Sequence, residues 1–236
     1  MHDGILSQEE IDALLNGDSD LPFDPPPLSG VEQDVLGEIG NITMGTAATT
    51  LSTLLRHRVS ITTPELRLVT PAQLQEEYPQ PCVIVTVRYT DGLSGSSLLV
   101  IKQHDAAVIA DLMMGGSGTD VDPGLDELKL SAVGEAMNQM MGTATTSLSS
   151  MFHRRIDIAP PALTMSGAGG EGMSAALGGQ PQAVQIRFRM EIEGLVDSEI
   201  MMLLPIEPAR QMAATLMGTM PEVDEIVAGV PGLPPD

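Results

Sequence analysis

Met44-Gly45-Thr46-Ala47-Ala48-Thr49-Thr50-Leu51-Ser52 returns as Met141-Gly142-Thr143-Ala144-Thr145-Thr146-Ser147-Leu148-Ser149, at a constant offset of 97 residues. Each run sits inside a longer segment of helical periodicity, from about Val31 to Leu55 and from about Leu125 to Phe152. The regions C-terminal to the two segments also match. Strands are expected around Val59 to Val69, Val83 to Tyr89 and Ser96 to Ile101, then a helix from about His104 to Met114. In the second series the strands fall around Ile156 to Met165, Ala183 to Ile192 and Glu199 to Leu204, with a helix from about Glu207 to Met217. Met114-Gly115 and Met217-Gly218 close the two series alike. The expected fold is α+β: a duplicated α-β-β-β-α unit with a pseudo-two-fold axis, its repeats covering about 31–118 and 125–218.

Outside the duplication, Ser7-Gln8-Glu9-Glu10-Ile11-Asp12-Ala13-Leu14-Leu15 has capping-box spacing between Ser7 and Glu10, and Ile11, Leu14 and Leu15 form one apolar stripe. About nine residues of helix do not persist alone in water, so this segment needs a surface to fold on. Residues 17–30, with Pro22, Pro25, Pro26 and Pro27 among acidic side chains, read as a flexible linker. Extended at ~3.1 Å per residue it reaches about 40 Å. Ser166 to Gly179 is Gly-rich and expected to be a mobile loop. Residues 219–236, with four prolines, read as a second linker and are expected to lead into a further domain.

An apolar content of 42 % in 236 residues is enough for a core, but aromatic residues make up only 2 %, so Leu, Ile, Val, Ala and 16 methionines must fill it. A net charge of −21 opposes a nucleic-acid or anionic-lipid surface and favours a protein partner. No Lys or Arg precedes Arg56, while Asp3, Glu9, Glu10, Asp12, Asp18, Asp20 and Asp24 crowd the opening, which should steer toward something basic. Cys82, alone in the chain and set in an apolar run, reads as a small buried hydrophobe. No stretch approaches the ~18 to 20 apolar residues that span a bilayer, so no membrane insertion is expected. The acidic N-terminus lacks the basic start of a secretion signal, and the expected location is the cytoplasm.

Advancing ~100° per residue along the first long helix places Glu38, Asn41, Gly45, Thr49, Ser52 and Arg56 in one narrow polar stripe. The second helix repeats it as Glu135, Asn138, Gly142, Thr146, Ser149 and His153. The opposite faces, Leu36, Ala47, Leu51 and Leu54 in one and Val133, Met137, Ala144, Leu148 and Met151 in the other, are expected to face the core. A polar stripe is ordinarily just a solvated face. Two features argue for more: the stripe is duplicated, and each copy keeps a mid-helix glycine that costs ~1 kcal/mol relative to alanine. Either another element packs closely there, or a partner helix needs a flat landing. Glu and Asn at i, i+3 have Cβ atoms ~5 to 6 Å apart on one side of a turn, so both can enter one foreign pocket. A neutral amide suits the in-line positioning of water on an acyl phosphate, where a carboxylate would repel the phosphoryl group.

Asp34-x-x-x-Glu38-x-x-Asn41 and Ser131-x-x-x-Glu135-x-x-Asn138 resemble the duplicated signature of the CheC/CheX/FliY chemotaxis phosphatase family. The stretch from Leu6 to Leu15 resembles the CheY-binding peptide that opens flagellar switch proteins, with Ile5, Leu6, Ile11, Asp12, Leu14 and Leu15 as its expected contacts. The resemblance covers residues 1 to about 218. It implies a CheC-like fold and a hydrolase acting on the aspartyl phosphate of CheY. Asn41 and Asn138 would orient the water, Glu38 and Glu135 would pair with the lysine of the CheY active site, and Asp34 and Ser131 would hold supporting positions. No cofactor of its own is implied, since CheY brings Mg²⁺. Phosphorylated CheY and the switch proteins FliM, FliG and a FliN-like domain are the implied partners, at the flagellar basal body. The rival reading is a FliM-like scaffold that binds phosphorylated CheY without chemistry, which predicts loss of the paired Glu and Asn.

Other constellations are weaker. His2, His57, His104 and His153 have no metal-ligand spacing. Arg56-His57-Arg58 and His153-Arg154-Arg155 end the long helices, where positive charge complements the helix dipole. Gly115-Gly116-Ser117-Gly118 lacks the lysine and the following helix of a phosphate-binding loop.

Overall fold

The computed structural model describes residues 28–77, 81–167, 177 and 179–218. In chain order the elements are α1 (Gly30–Leu55), β1 (Val59–Val69), α2 (Pro71–Glu77), β2 (Cys82–Asp91), β3 (Ser96–Lys102), α3 (Gln103–Met113), α4 (Glu127–Phe152), β4 (Asp157–Ile158), β5 (Ala162–Ser166), β6 (Ala183–Ile192), β7 (Val196–Pro205) and α5 (Ile206–Leu216). The duplicated α+β unit expected from the offset is present, and the two long helices start and stop at equivalent residues.

Each long helix begins on a side-chain cap. Ser29 Oγ accepts the Glu32 amide at 3.2 Å while the Glu32 carboxylate accepts the Ser29 amide at 2.7 Å, a reciprocal box that satisfies two otherwise orphaned donors. The bond from the Ser29 amide, then that from its hydroxyl, hold the Glu32 carboxyl below its ordinary range. At the equivalent start of α4, Asp126 accepts the Lys129 amide at 2.8 Å. Lys129 Nζ there donates to the carbonyls of Asp122 and Gly124, tying down the connector instead.

The strands form one antiparallel sheet in the order β1-β6-β7-β3-β2, with β4 and β5 on the outer edge of β2. The order is the same read from either end once the halves are exchanged. The symmetry axis therefore stands normal to the sheet between β3 and β7. The first strand of each half pairs with the hairpin of the other half, β1 with β6 and β5 with β2. Period-2 alternation sends Val83, Val85 and Val87 to one face of the sheet and Cys82 and Ile84 to the other. The first face carries α1, α3, α4 and α5 over the main core. The second is covered by Leu74 of α2 and by Leu177. Burial raises the Glu77 carboxyl, but bonds from Arg67 and Arg187 outweigh it and hold the group below its ordinary range, pinning α2 to the sheet.

Several expectations are corrected. The strand expected over Ile156 to Met165 is split into β4 and β5, because Pro160 and Pro161 offer no amide to a ladder. The helix α2 is an addition to the expected elements. The folded unit reaches back into the expected linker, since Leu28 is buried and Ser29 caps α1. Leu54 and Met151, expected in the core, are only half-buried. Residues 1–27, most of the Gly-rich loop and residues 219–236 lie outside the described residues, and with them the peptide at Ile5 to Leu15.

Candidate functional site

The stripe results from what the long helices bury. On α1 the buried positions are Leu36, Ile39, Gly40, Thr43, Met44, Ala47, Ala48, Leu51 and Leu55, which leaves Asp34, Glu38 and Asn41 on the open side of the turn. On α4 the same logic leaves Ser131, Glu135 and Asn138 exposed. The side chains of Glu38, Asn41 and Asn138 make no hydrogen bond or ion pair among the described residues. Glu135 accepts one bond, from Gln139 Nε2 at 2.5 Å.

The glycines distinguish close packing from a flat landing. A Cβ built at Gly45 or Gly142 meets nothing within 4 Å, so no described part of the chain needs its absence. Gly40 is the contrast: a Cβ there would stand 3.0 Å from the Phe188 ring. On the stripe Thr49 and Thr146, and beside it Thr46 and Ser150, donate their hydroxyls back to the carbonyls one turn earlier, which leaves a floor of small groups with few free donors. Ser52 and Ser149, placed on the stripe by periodicity, serve the fold instead. Each accepts the first amide of the next strand region, Val59 at 2.9 Å and Ile156 at 3.0 Å. Arg56 and His153 are the C-cap residues, both left-handed with φ of 55° and 51°, and neither helix has a basic residue in its last turn.

A half-turn about the sheet normal carries α1 onto α4, so the helices run in opposite directions. They touch at Thr50 and Thr143, whose hydroxyls are 2.9 Å apart. Asn41 lies nine residues before that contact and Asn138 five residues before it on the opposing helix, which separates the two amides by about 20 Å along the helix axes at 1.5 Å per residue. All four paired side chains are exposed. A concavity of about 590 Å³ near the β6–β7 turn is lined by residues such as Arg58, Glu191 and Asp197, and includes none of the four paired side chains. Exposed side chains one turn apart on a helix can enter a site that another molecule supplies. Among the described residues no group of three or more His, Cys, Asp or Glu could hold a metal ion, and no helix is long and apolar enough to cross a membrane.

Two features escape a reading confined to polar residues. Val31 and Leu128 occupy the same position three residues ahead of Asp34 and Ser131 and are 62 % and 67 % exposed. Aligning the repeats at the offset would have paired them. Next to the amides, Ile42 is exposed on α1 where α4 carries Gln139.

The model of the CheC-like family matches residues 31–67 and 128–165, the two long helices with the strand region after each. The flagellar motor switch phosphatase FliY of Bacillus subtilis is 45 % identical over 224 residues, covering 93 % of this chain and 59 % of that protein. The CheY-P phosphatase CheC of the same organism is 25 % identical over 124 residues, covering 51 % of this chain and 59 % of that protein. The chain thus spans 59 % of the length of either curated relative. The crystal structure of Thermotoga maritima FliY superposes with a TM-score of 0.74 at 40 % identity, covering 82 % of this chain and 99 % of that one.

Proposed function

The chain belongs to the CheC-like family, and from that premise we propose that it hydrolyses the aspartyl phosphate of phosphorylated CheY at the flagellar motor switch. The observation that carries this reading is the pair of exposed Glu/Asn couples, at equivalent places on two opposed helices. CheY would supply the phosphorylated carboxylate and the Mg²⁺ beside it. Asn41 or Asn138 would hydrogen-bond a water and hold it in line with the scissile bond. The water oxygen bonds to phosphorus as the bond to the aspartate carboxylate breaks, releasing inorganic phosphate. Glu38 or Glu135 would pair with the active-site lysine of CheY and fix the register, while Asp34 and Ser131 support the turn before it.

The segment containing Ile5, Leu6, Ile11, Asp12, Leu14 and Leu15 would hold CheY on a tether and raise its effective concentration at the helices. FliM, FliG and a FliN-like domain are the further partners of this reading, on the cytoplasmic face of the basal body. A pure scaffold has no use for two Glu/Asn couples, and both are present.

Phosphate release from phosphorylated CheY, with and without the protein, is the test. Asn41→Ala with Asn138→Ala should remove about 10²-fold or more of the acceleration while CheY still binds through the peptide. Full activity in the double variant would end the assigned role. Deleting residues 1–16 should slow release at low CheY and leave it unchanged at saturation.

A further inference from the structure

The residue directly after each asparagine breaks the symmetry of the two sites. Position 42 is Ile, 42 % exposed, and the equivalent position 139 is Gln. Both project from the stripe one turn after the glutamate, at i+4. Gln139 Nε2 donates to Glu135 Oε1 at 2.5 Å, so this carboxylate already has an acceptor site occupied on its own helix. Glu38 has only an isoleucine in that place, and its carboxylate makes no hydrogen bond or ion pair among the described residues.

We propose that Gln139 is a positioning residue that restrains Glu135, so that the second site captures the response regulator more weakly than the first, formed by Glu38, Asn41 and Ile42. The inference rests on the function proposed above. A carboxylate that must release an intrahelical amide before meeting a lysine loses the worth of that bond, about a twofold change in an equilibrium for an exposed i, i+4 pair. Ile42 adds apolar surface that docking removes from water, which Gln139 cannot match. Together these give the first site an advantage of about threefold to tenfold in capture. Both effects act on association; the amide that holds the water is the same in both sites, so turnover should differ little.

Single-site proteins read this directly. Asn138→Ala leaves the first site and Asn41→Ala leaves the second; phosphate release is followed across a range of phosphorylated CheY. The expected KM is about threefold to tenfold higher for the Asn41→Ala protein, with kcat nearly equal. In that background Gln139→Ala, which removes only the intrahelical bond, should lower KM about twofold. Gln139→Ile should bring it close to the first site's value. Ile42→Gln in the Asn138→Ala background should raise it. Equal KM values in the two single-site proteins, or exchanges that alter kcat and leave KM alone, overturn the inference while the phosphatase reading stands. If neither single-site protein nor the parent accelerates release, both fall together.

Discussion

In α1 the buried positions run Leu36, Ile39, Gly40, Thr43, Met44, Ala47, Ala48, Leu51 and Leu55; in α4 they are the residues at the same offset of 97, Val133, Ala136, Met137, Met140, Met141, Ala144, Thr145, Leu148 and Phe152. Position for position the same sites are covered, yet the side chains differ in volume at most of them. Gly40 leaves room for the Phe188 ring, whereas the other half places Met137 and Val87 at the corresponding helix and strand positions. On the outer face the reverse holds: Glu and Asn are identical in both copies while their surroundings vary. A core asks only that the total volume be filled. A ridge that enters a foreign pocket must keep the chemical groups themselves.

The most damaging way to break the comparison is to exchange residues between the cores. Met137→Gly should cost about 3 to 5 kcal/mol, from the cavity and the helix glycine together. Gly40→Met should cost about 1 to 3 kcal/mol by driving against Phe188, and adding Phe188→Val should return most of it. Urea unfolding of the two singles and the double measures this coupling, and additive losses would mean the two positions are independent.

Next in size are the caps. Ser29→Ala and Asp126→Ala should each cost about 1 kcal/mol, although only the first dismantles a reciprocal box. The surface glycines come after. Gly45→Ala and Gly142→Ala should each stabilise the fold by about 0.5 to 1 kcal/mol, since no described residue occupies the space, and should slow phosphate release from CheY. A thermal melt together with a release assay would separate the two effects.

The smallest difference is in acid. The Glu32 carboxyl is lowered on folding by its bonds from Ser29, so its contribution is present above the unfolded pKa and is lost as the pH falls through the folded one. Glu32→Gln should flatten the acid limb of the stability profile. Lys129→Gln, at the equivalent position, should leave that limb in place.

Much of this is legible in the residues for physical reasons. A helix of 26 residues gives its period several turns in which to declare itself, so both long helices and their outward Glu and Asn can be placed from the chain alone. Seven residues from Pro71 to Glu77 are too few for that, and α2 escapes such a reading. Ser29 stands at the end of a proline-rich acidic run, and its neighbours mask the box it forms with Glu32. Ser52 and Ser149 have the periodicity of the stripe, but their task depends on an amide seven residues on, beyond the reach of a helical wheel. The bond between Gln139 and Glu135 is visible in principle as an i, i+4 pair, but it gains meaning only once Glu38 is found without a counterpart.

The exchange of first strands between the halves reaches further than the sheet. A polypeptide holding one copy alone would present a β hairpin with no neighbour and a leading strand with nothing to lie against, and only an identical twin, turned by half a revolution, could satisfy both. The present chain is geometrically a closed homodimer whose subunits have been joined end to end. The link between them, residues 114–126, also frees each half to drift in composition, as no two separate but identical subunits could.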